Sequence, residues 1–191
     1  NVPSDLIEEI NPFDFGERKF DLIVGNPPYM KTEDIKKFTP NEKKLYEKGN
    51  LYVSANKQYD KYYLFIERAI GLLKPDGYLG YIVPSKFMKV GAGTKLRNLI
   101  SGRKNVKSIV SFGAHQVFED KSTYTCLLIL QNQEQDTFKY TEVSDFKAWR
   151  VRSNDTNLFA VRDASILAEN TWVICTDEQK DRKSTRLNSS H

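Results

Sequence analysis

The sequence is poor in the residues that build disulfide frameworks and metal centres. Its 191 residues include two cysteines, Cys126 and Cys175, and two histidines, His115 and His191. The cysteines lack the pair spacing of a zinc site and have no histidine nearby, so we expect neither a structural metal nor a disulfide framework. Cys126 lies within an apolar run, which indicates a small core residue rather than a nucleophile. A reducing, cytoplasmic setting is predicted.

Long apolar segments are also missing. No stretch of 18 apolar residues exists, and the first ten residues are largely acidic and polar. We therefore predict neither a membrane span nor a secretory signal. The composition, with 39% hydrophobic and 12% aromatic residues, suffices for a packed core, and the length fits one domain, or most of one with a piece of another.

Both ends of the chain look artificial. It starts on Asn1 rather than methionine, which predicts an internal fragment of a longer reading frame. Residues 181–191 resemble the translation of a sequencing adapter, so we expect them to form no part of the fold. Without them, Lys plus Arg falls from 29 to 26 and Asp plus Glu from 25 to 24, and the net charge falls from +4 to +2. The pI of 8.9 therefore supports nucleic-acid binding only weakly.

The most informative segment is an apolar run followed by a stiff polar turn. Residues 20–25 read as a strand buried on both faces, and Gly25 ends it where the backbone must turn. Pro27 and Pro28 fix the backbone between Asn26 and Tyr29. A carboxamide, a carbonyl and an aromatic ring are thereby held together, which suits a planar group that carries an exocyclic amine.

The rest of the chain predicts an α/β sheet covered by helices. Residues 30–58 are polar and predict a functional lid or a disordered segment, and residues 59–73 predict an amphipathic helix. We then predict strands at 78–83, 106–112 and 123–131, a short helix at 95–100 and an edge strand at 137–143. Asn26, Pro84 and Phe118 flank strand ends, where sites form on such sheets, so one cleft is expected. Residues 151–180 are interpreted as the start of another region.

Several segments in order resemble one enzyme family. Residues 20–29 resemble motif IV of the S-adenosylmethionine-dependent amino-methyltransferases, especially the N6-adenine DNA enzymes of restriction-modification systems. Residues 59–66 and 77–85 are similar to motifs V and VI of the gamma group of these enzymes. Residues 117–119 and 124–130 look like motif VIII. The combination also resembles type IIG enzymes, in which a nuclease, the methyltransferase and a recognition domain share one polypeptide.

The resemblance implies a partial Rossmann-like methyltransferase fold, namely the C-terminal half of its sheet. Residues 1–150 would form the catalytic domain, incomplete at its N-terminus, and residues 151–180 would begin a linker or target-recognition region. The glycine-rich cofactor loop has no match in residues 1–19. The implied cofactor is S-adenosylmethionine. The implied partners are double-stranded DNA and the remaining parts of the same polypeptide, and the isolated fragment is expected to be inactive.

The resemblance also assigns roles to residues. The Asn26 side-chain oxygen and the Pro27 carbonyl would accept the hydrogens of an adenine N6 amine, so that its lone pair points at the methyl donor. The base would be flipped out of the duplex and stacked between Tyr29 and Phe118. Pro28 would contact the cofactor.

Alternatives remain open at this stage. N4-cytosine enzymes perform the same chemistry but more often carry Ser or Asp at the position of Asn26. RNA or protein-glutamine methylation and a non-catalytic DNA-binding role are further alternatives. Six lysines between residues 31 and 48 fit phosphate contacts and, equally, a solvated face. They are Lys31, Lys36, Lys37, Lys43, Lys44 and Lys48.

Overall fold

The central element of the protein is one mixed β-sheet. The computed structural model describes residues 16–48, 51–113, 115, 124–152, 155–167 and 171–174. Six strands lie within these residues: β1 (Phe20–Gly25), β2 (Leu73–Pro84), β3 (Val106–Ser111), β4 (Thr125–Gln131), β5 (Thr137–Glu142) and β6 (Ala160–Asp163). Five α-helices lie within the same residues: α1 (Thr32–Phe38), α2 (Pro40–Glu47), α3 (Lys61–Leu72), α4 (Thr94–Gly102) and α5 (Phe146–Arg152). No helix in this part of the chain is both long enough and apolar enough to cross a bilayer.

The strand order decides which chain segments meet at one edge of the sheet. The strands lie in the order β1-β2-β4-β3-β5-β6. β1 is parallel to β2, whereas β4 is antiparallel to both β2 and β3. The carboxyl ends of β1, β2 and β3 therefore share an edge with the amino end of β4. Sites in open α/β sheets form at such an edge.

Side-chain alternation along the strands divides the core between the two faces of the sheet. Ile109 of β3 belongs to the main core with α3 and α4, whereas its neighbour Val110 packs with Phe112 and the aromatic residues of α5. Because neighbouring residues of a strand point to opposite faces, α5 covers the face opposite α3. The predicted sheet covered by helices is thus confirmed.

The predictions for individual elements are largely confirmed. The helix predicted at 59–73 spans Lys61–Leu72, and the short helix predicted at 95–100 spans Thr94–Gly102. The strands predicted at 78–83, 106–112 and 123–131 correspond to β2, β3 and β4. The polar segment at 30–58, predicted to be a functional lid or a disordered segment, contains α1 and α2.

Two predictions about sheet position are wrong. β1 was expected to be buried on both faces, but Leu22 is 61% exposed and Val24 is 69% exposed. Only Ile23 packs on the main core, because the cover that α5 provides lies over β3 and not over β1. The expected edge strand, β5, is an interior strand, because β6 pairs with its outer side through Thr137–Tyr140.

Candidate active site

The turn after β1 lies at the shared carboxyl edge of the sheet. Asn26 and Pro28 are exposed, Pro27 between them is buried, and Tyr29 is half-buried. Gly25 keeps the chain close to β2, because a Cβ at this position would come within 3.2 Å of the Tyr81 ring. The amide of Asn26 is therefore exposed to solvent, and the buried Pro27 restricts the backbone that follows it.

Tyr29 fastens this turn to the neighbouring strand. Its hydroxyl donates a hydrogen bond to the backbone carbonyl of Ile82 in β2, with an O–O distance of 3.0 Å. Its ring meets Tyr62 of α3 edge to face, with centroids 5.9 Å apart. The Tyr62 hydroxyl in turn donates to the Pro84 carbonyl at 3.1 Å, at the end of β2. The turn after β1 and the end of β2 are thus held through the same pair of rings.

A second set of bonds clamps the residues that follow the turn. The Met30 carbonyl accepts the Lys61 N–H at 2.8 Å, and Lys31 forms an isolated bridge with Asp60. The buried Thr32 hydroxyl accepts the Tyr59 N–H at 2.7 Å and donates to the Tyr59 carbonyl at 2.7 Å. Residues on both sides of Asn26 are therefore tied to regular elements, which preorganises the exposed amide.

The sequence interpretation missed an ion pair beside this clamp. Asp60 is buried at the start of α3 and pairs with Lys86, at 3.0 Å, in the 3-10 turn that follows β2. An aspartate directly before a helical apolar pattern is a helix-start signal and would have marked Asp60. Nothing in the sequence pattern identifies Lys86 as its partner, because 26 positions separate the two residues.

The start of β4 lies at the same edge of the sheet, beside the end of β2. Pro84 pairs with Thr125, and the Tyr124 carbonyl accepts the Ser85 N–H at 2.9 Å. The prediction that Asn26 and Pro84 lie at one edge is confirmed. Phe118, the predicted second stacking partner, lies outside the described residues, as do the neighbouring Val117 and Glu119.

Cys126 is fully buried in β4, and burial raises the pKa of its thiol to about 12. A thiol with that pKa remains protonated at neutral pH, which agrees with its interpretation as a core residue. Asp21 pairs with Lys74 at 2.8 Å on the surface, and this hydrogen bond lowers its pKa, in line with a structural role.

Solved methyltransferases share this fold. The chain superposes on a putative class I S-adenosylmethionine-dependent methyltransferase from Listeria monocytogenes with a TM-score of 0.53 and 17% identity, covering 72% of this chain and 41% of that one. It superposes on the type IIG restriction endonuclease BpuSI with a TM-score of 0.61 and 16% identity, covering 94% of this chain and 23% of that one. The fold is that of class I S-adenosylmethionine-dependent methyltransferases, as the sequence predicted.

Sequence comparison narrows this class to a family. Residues 3–118 match the Eco57I restriction-modification methylase family, and the chain belongs to it. The chain is 50% identical over 173 residues to the type II restriction enzyme and methyltransferase RM.Eco57I of Escherichia coli, covering 91% of this chain. It is 33% identical over 135 residues to the type II methyltransferase M.BstVI of Geobacillus stearothermophilus, covering 65% of this chain. The chain spans 17% and 22% of the lengths of these two relatives.

The fold and family imply S-adenosylmethionine as the cofactor, and the described residues fit one side of its site. Asn26 and Pro28, the residues predicted to contact the substrate amine and the cofactor, are both exposed on the clamped turn. The glycines of Gly91–Gly93 do not form the missing cofactor loop, because a Cβ on Gly93 would come within 2.1 Å of the Phe87 carbonyl oxygen. That glycine packs against the protein's own backbone.

Proposed function

We propose that the protein carrying this chain is a restriction-modification DNA methyltransferase that methylates the N6 amine of an adenine flipped out of the duplex. The observation that carries the proposal is the exposed Asn26 amide on a turn that Tyr29 fastens to β2. The proposed partners of this chain are duplex DNA and the other regions of the same polypeptide, including cofactor-binding, target-recognition and nuclease regions. The cytoplasm is the location that we assign to this protein.

The turn performs its chemistry with fixed acceptors. The lone pair of an exocyclic amine is delocalised into the ring, so the amine is a weak nucleophile. The Asn26 side-chain oxygen and the Pro27 carbonyl accept its two hydrogens and favour a pyramidal nitrogen. Because the turn is clamped before substrate binds, little reorganisation is needed during the reaction. Bound S-adenosylmethionine supplies an electrophilic methyl group, and Pro28 is the residue that we assign to its contact.

Stacking holds the base at this turn. The half-buried ring of Tyr29 is assigned to one face of the adenine and Phe118 to the other, each contact contributing about 1 to 3 kcal/mol. Extrusion of the base from the duplex costs a few kcal/mol, which these contacts offset. Asn at position 26, rather than Ser or Asp, favours adenine over cytosine.

The test is methyl transfer by the full-length protein with Asn26→Ala. Loss of one preorganised acceptor at the reacting atom is expected to lower kcat by at least about 100-fold. Nucleosides from duplex DNA methylated by the unaltered protein are analysed by mass spectrometry, with N6-methyladenine as the expected product.

Asp21→Asn is the matched control, because Asp21 lies on β1, which leads into the turn, in an exposed surface pair, and the substitution is expected to leave the rate unchanged. Undiminished transfer by Asn26→Ala would refute the mechanism. N4-methylcytosine as the product would replace the adenine assignment with the cytosine alternative.

A further inference from the structure

The segment that follows the catalytic turn has a charge pattern that the proposed chemistry does not use. We define the lysine hairpin as residues 31–48, which contain α1 and α2. Five of its six lysines are exposed and have no carboxylate partner among the residues that the structure describes. These five are Lys31, Lys36, Lys37, Lys44 and Lys48.

Half of the hairpin's acidic residues are neutralised by lysines. Glu47 pairs with Lys43. Glu42 pairs with Lys61 and accepts a hydrogen bond from the Tyr46 hydroxyl at 2.9 Å, and these bonds lower its pKa. Glu33 and Asp34 remain to oppose the five lysines without partners, and the hairpin as a whole, with six lysines and four carboxylates, carries a formal net charge of +2.

Apolar side chains lie exposed among these lysines. Phe38 at the end of α1 is 63% exposed, and the Lys37 ammonium lies 5.0 Å from the centroid of its ring. Leu45 of α2 is 58% exposed. A solvated face gains nothing from an exposed phenylalanine, whereas a nucleic-acid surface combines cations for phosphates with rings for sugars and bases.

The hairpin is fixed relative to the catalytic turn. Lys31 stands two residues after Tyr29 and bridges Asp60, and Thr32 bonds to Tyr59 in both directions. Ile35 is fully buried in the main core, so α1 is anchored through its inner face while its lysines face outward. A nucleotide bound at Asn26 therefore places its flanking backbone near a surface of defined position.

We propose that the lysine hairpin binds the sugar-phosphate backbone of the DNA beside the flipped nucleotide. This inference rests on the proposed function, because it takes duplex DNA as the substrate of the Asn26 site. The exposed lysines neutralise phosphates, and Phe38 packs on the sugars between them. The contact is independent of base sequence and positions the duplex without reading it.

The test measures how salt weakens the binding of the full-length protein to a 30-base-pair duplex of arbitrary sequence. Each lost lysine–phosphate contact lowers the slope of log K against log salt by about 0.9. Lys36→Gln combined with Lys37→Gln is therefore expected to weaken binding and reduce the slope by about 1 to 2. Lys44→Gln combined with Lys48→Gln, on and just after α2, is expected to act in the same direction.

The control pair is Lys104→Gln with Lys139→Gln, which removes the same charge far from the turn. Lys104 precedes β3, and Lys139 lies on β5, four strands from β1. A slope that either hairpin pair leaves unchanged, or changes no more than the control pair, overturns the inference. The binding assay does not depend on methyl transfer. Failure of the proposed function would appear as DNA left unmethylated in the methyl-transfer assay, whereas failure of the hairpin proposal would appear as an unchanged salt slope.

Discussion

Tyr29 joins two tasks in one side chain. Its hydroxyl bonds to the Ile82 carbonyl, while its ring is assigned to the substrate base. Burial raises the pKa of the Tyr29 hydroxyl to about 12. The neutral form is therefore favoured by folding, and its contribution to stability is present below pH 10, the unfolded value, and is lost as pH rises from 10 to 12.

Replacing Tyr29 with Phe separates these two tasks. The hydrogen bond at 3.0 Å is lost while the ring is retained, so the free energy of unfolding is expected to fall by about 1 kcal/mol at pH 8. The difference from the unaltered chain is expected to shrink as pH approaches 12. Urea denaturation of the chain at both pH values measures it. Equal stability of the two chains at pH 8 would show that the hydroxyl does not anchor the turn.

At the scale of elements, local sequence patterns predicted the positions of helices and strands better than they predicted which neighbouring elements cover them. The apolar stripe of α3 placed that helix within two residues at each end, because the stripe reports the buried face directly. The exposure of Leu22 and the covering of β5 by β6 depend on partners distant in sequence, which periodicity does not encode. α2 was missed as a helix because it has no buried residue and therefore no apolar stripe, and α1 was missed because Ile35 is its one buried apolar residue.

At the candidate site, too, features local in sequence were predicted and contacts between distant segments were not. The turn at Asn26–Tyr29 was predictable because its four residues are contiguous and follow a recognisable strand. The Asp60–Lys86 pair and the bond from Tyr29 to Ile82 connect segments that only the fold brings together. The roles assigned to Asn26, Pro27, Pro28, Tyr29 and Phe118 remain predictions.

Two glycines near the junction of α3 and β2 allow a test at this scale. A Cβ on Gly77 would come within 2.8 Å of the Phe20 carbonyl oxygen, so Gly77→Ala must push β1 away from β2. A Cβ on Gly71, near the end of α3, meets nothing within 4 Å. We expect Gly77→Ala to destabilise the chain by about 1 to 3 kcal/mol.

Gly71→Ala is the matched substitution and is expected to stabilise the chain by about 0.5 to 1 kcal/mol through helix propensity. Thermal or urea unfolding of the two variants measures both effects. If Gly77→Ala unfolds no more easily than the unaltered chain, the close pairing of β1 with the start of β2 is contradicted.

For the whole molecule, a line of aromatic rings connects the turn at Asn26–Tyr29 to residues far along the chain. Tyr29 contacts Tyr62, Tyr62 contacts Phe87 at 6.5 Å, and Phe87 contacts Trp172 at 5.6 Å between ring centroids. Trp172 is 1% exposed, and its backbone N–H donates to the Met88 carbonyl at 2.8 Å. The domain boundary near residue 150 stays a prediction; in the structure, β6 pairs with β5 of the central sheet and Trp172 belongs to the main core.

Trp172 is therefore expected to support the turn that holds Lys86. Trp172→Ala removes a fully buried ring beside Phe87 and is expected to cost about 3 to 5 kcal/mol of unfolding free energy, whereas Trp172→Phe keeps an aromatic partner and costs less. Hydrogen exchange is expected to accelerate at residues 85–88 in the alanine variant before it does at β5, because the lost contacts adjoin that turn. A loss below about 1 kcal/mol, with exchange unchanged at residues 85–88, would show that Trp172 does not stabilise the main core and would favour a domain that ends near residue 150.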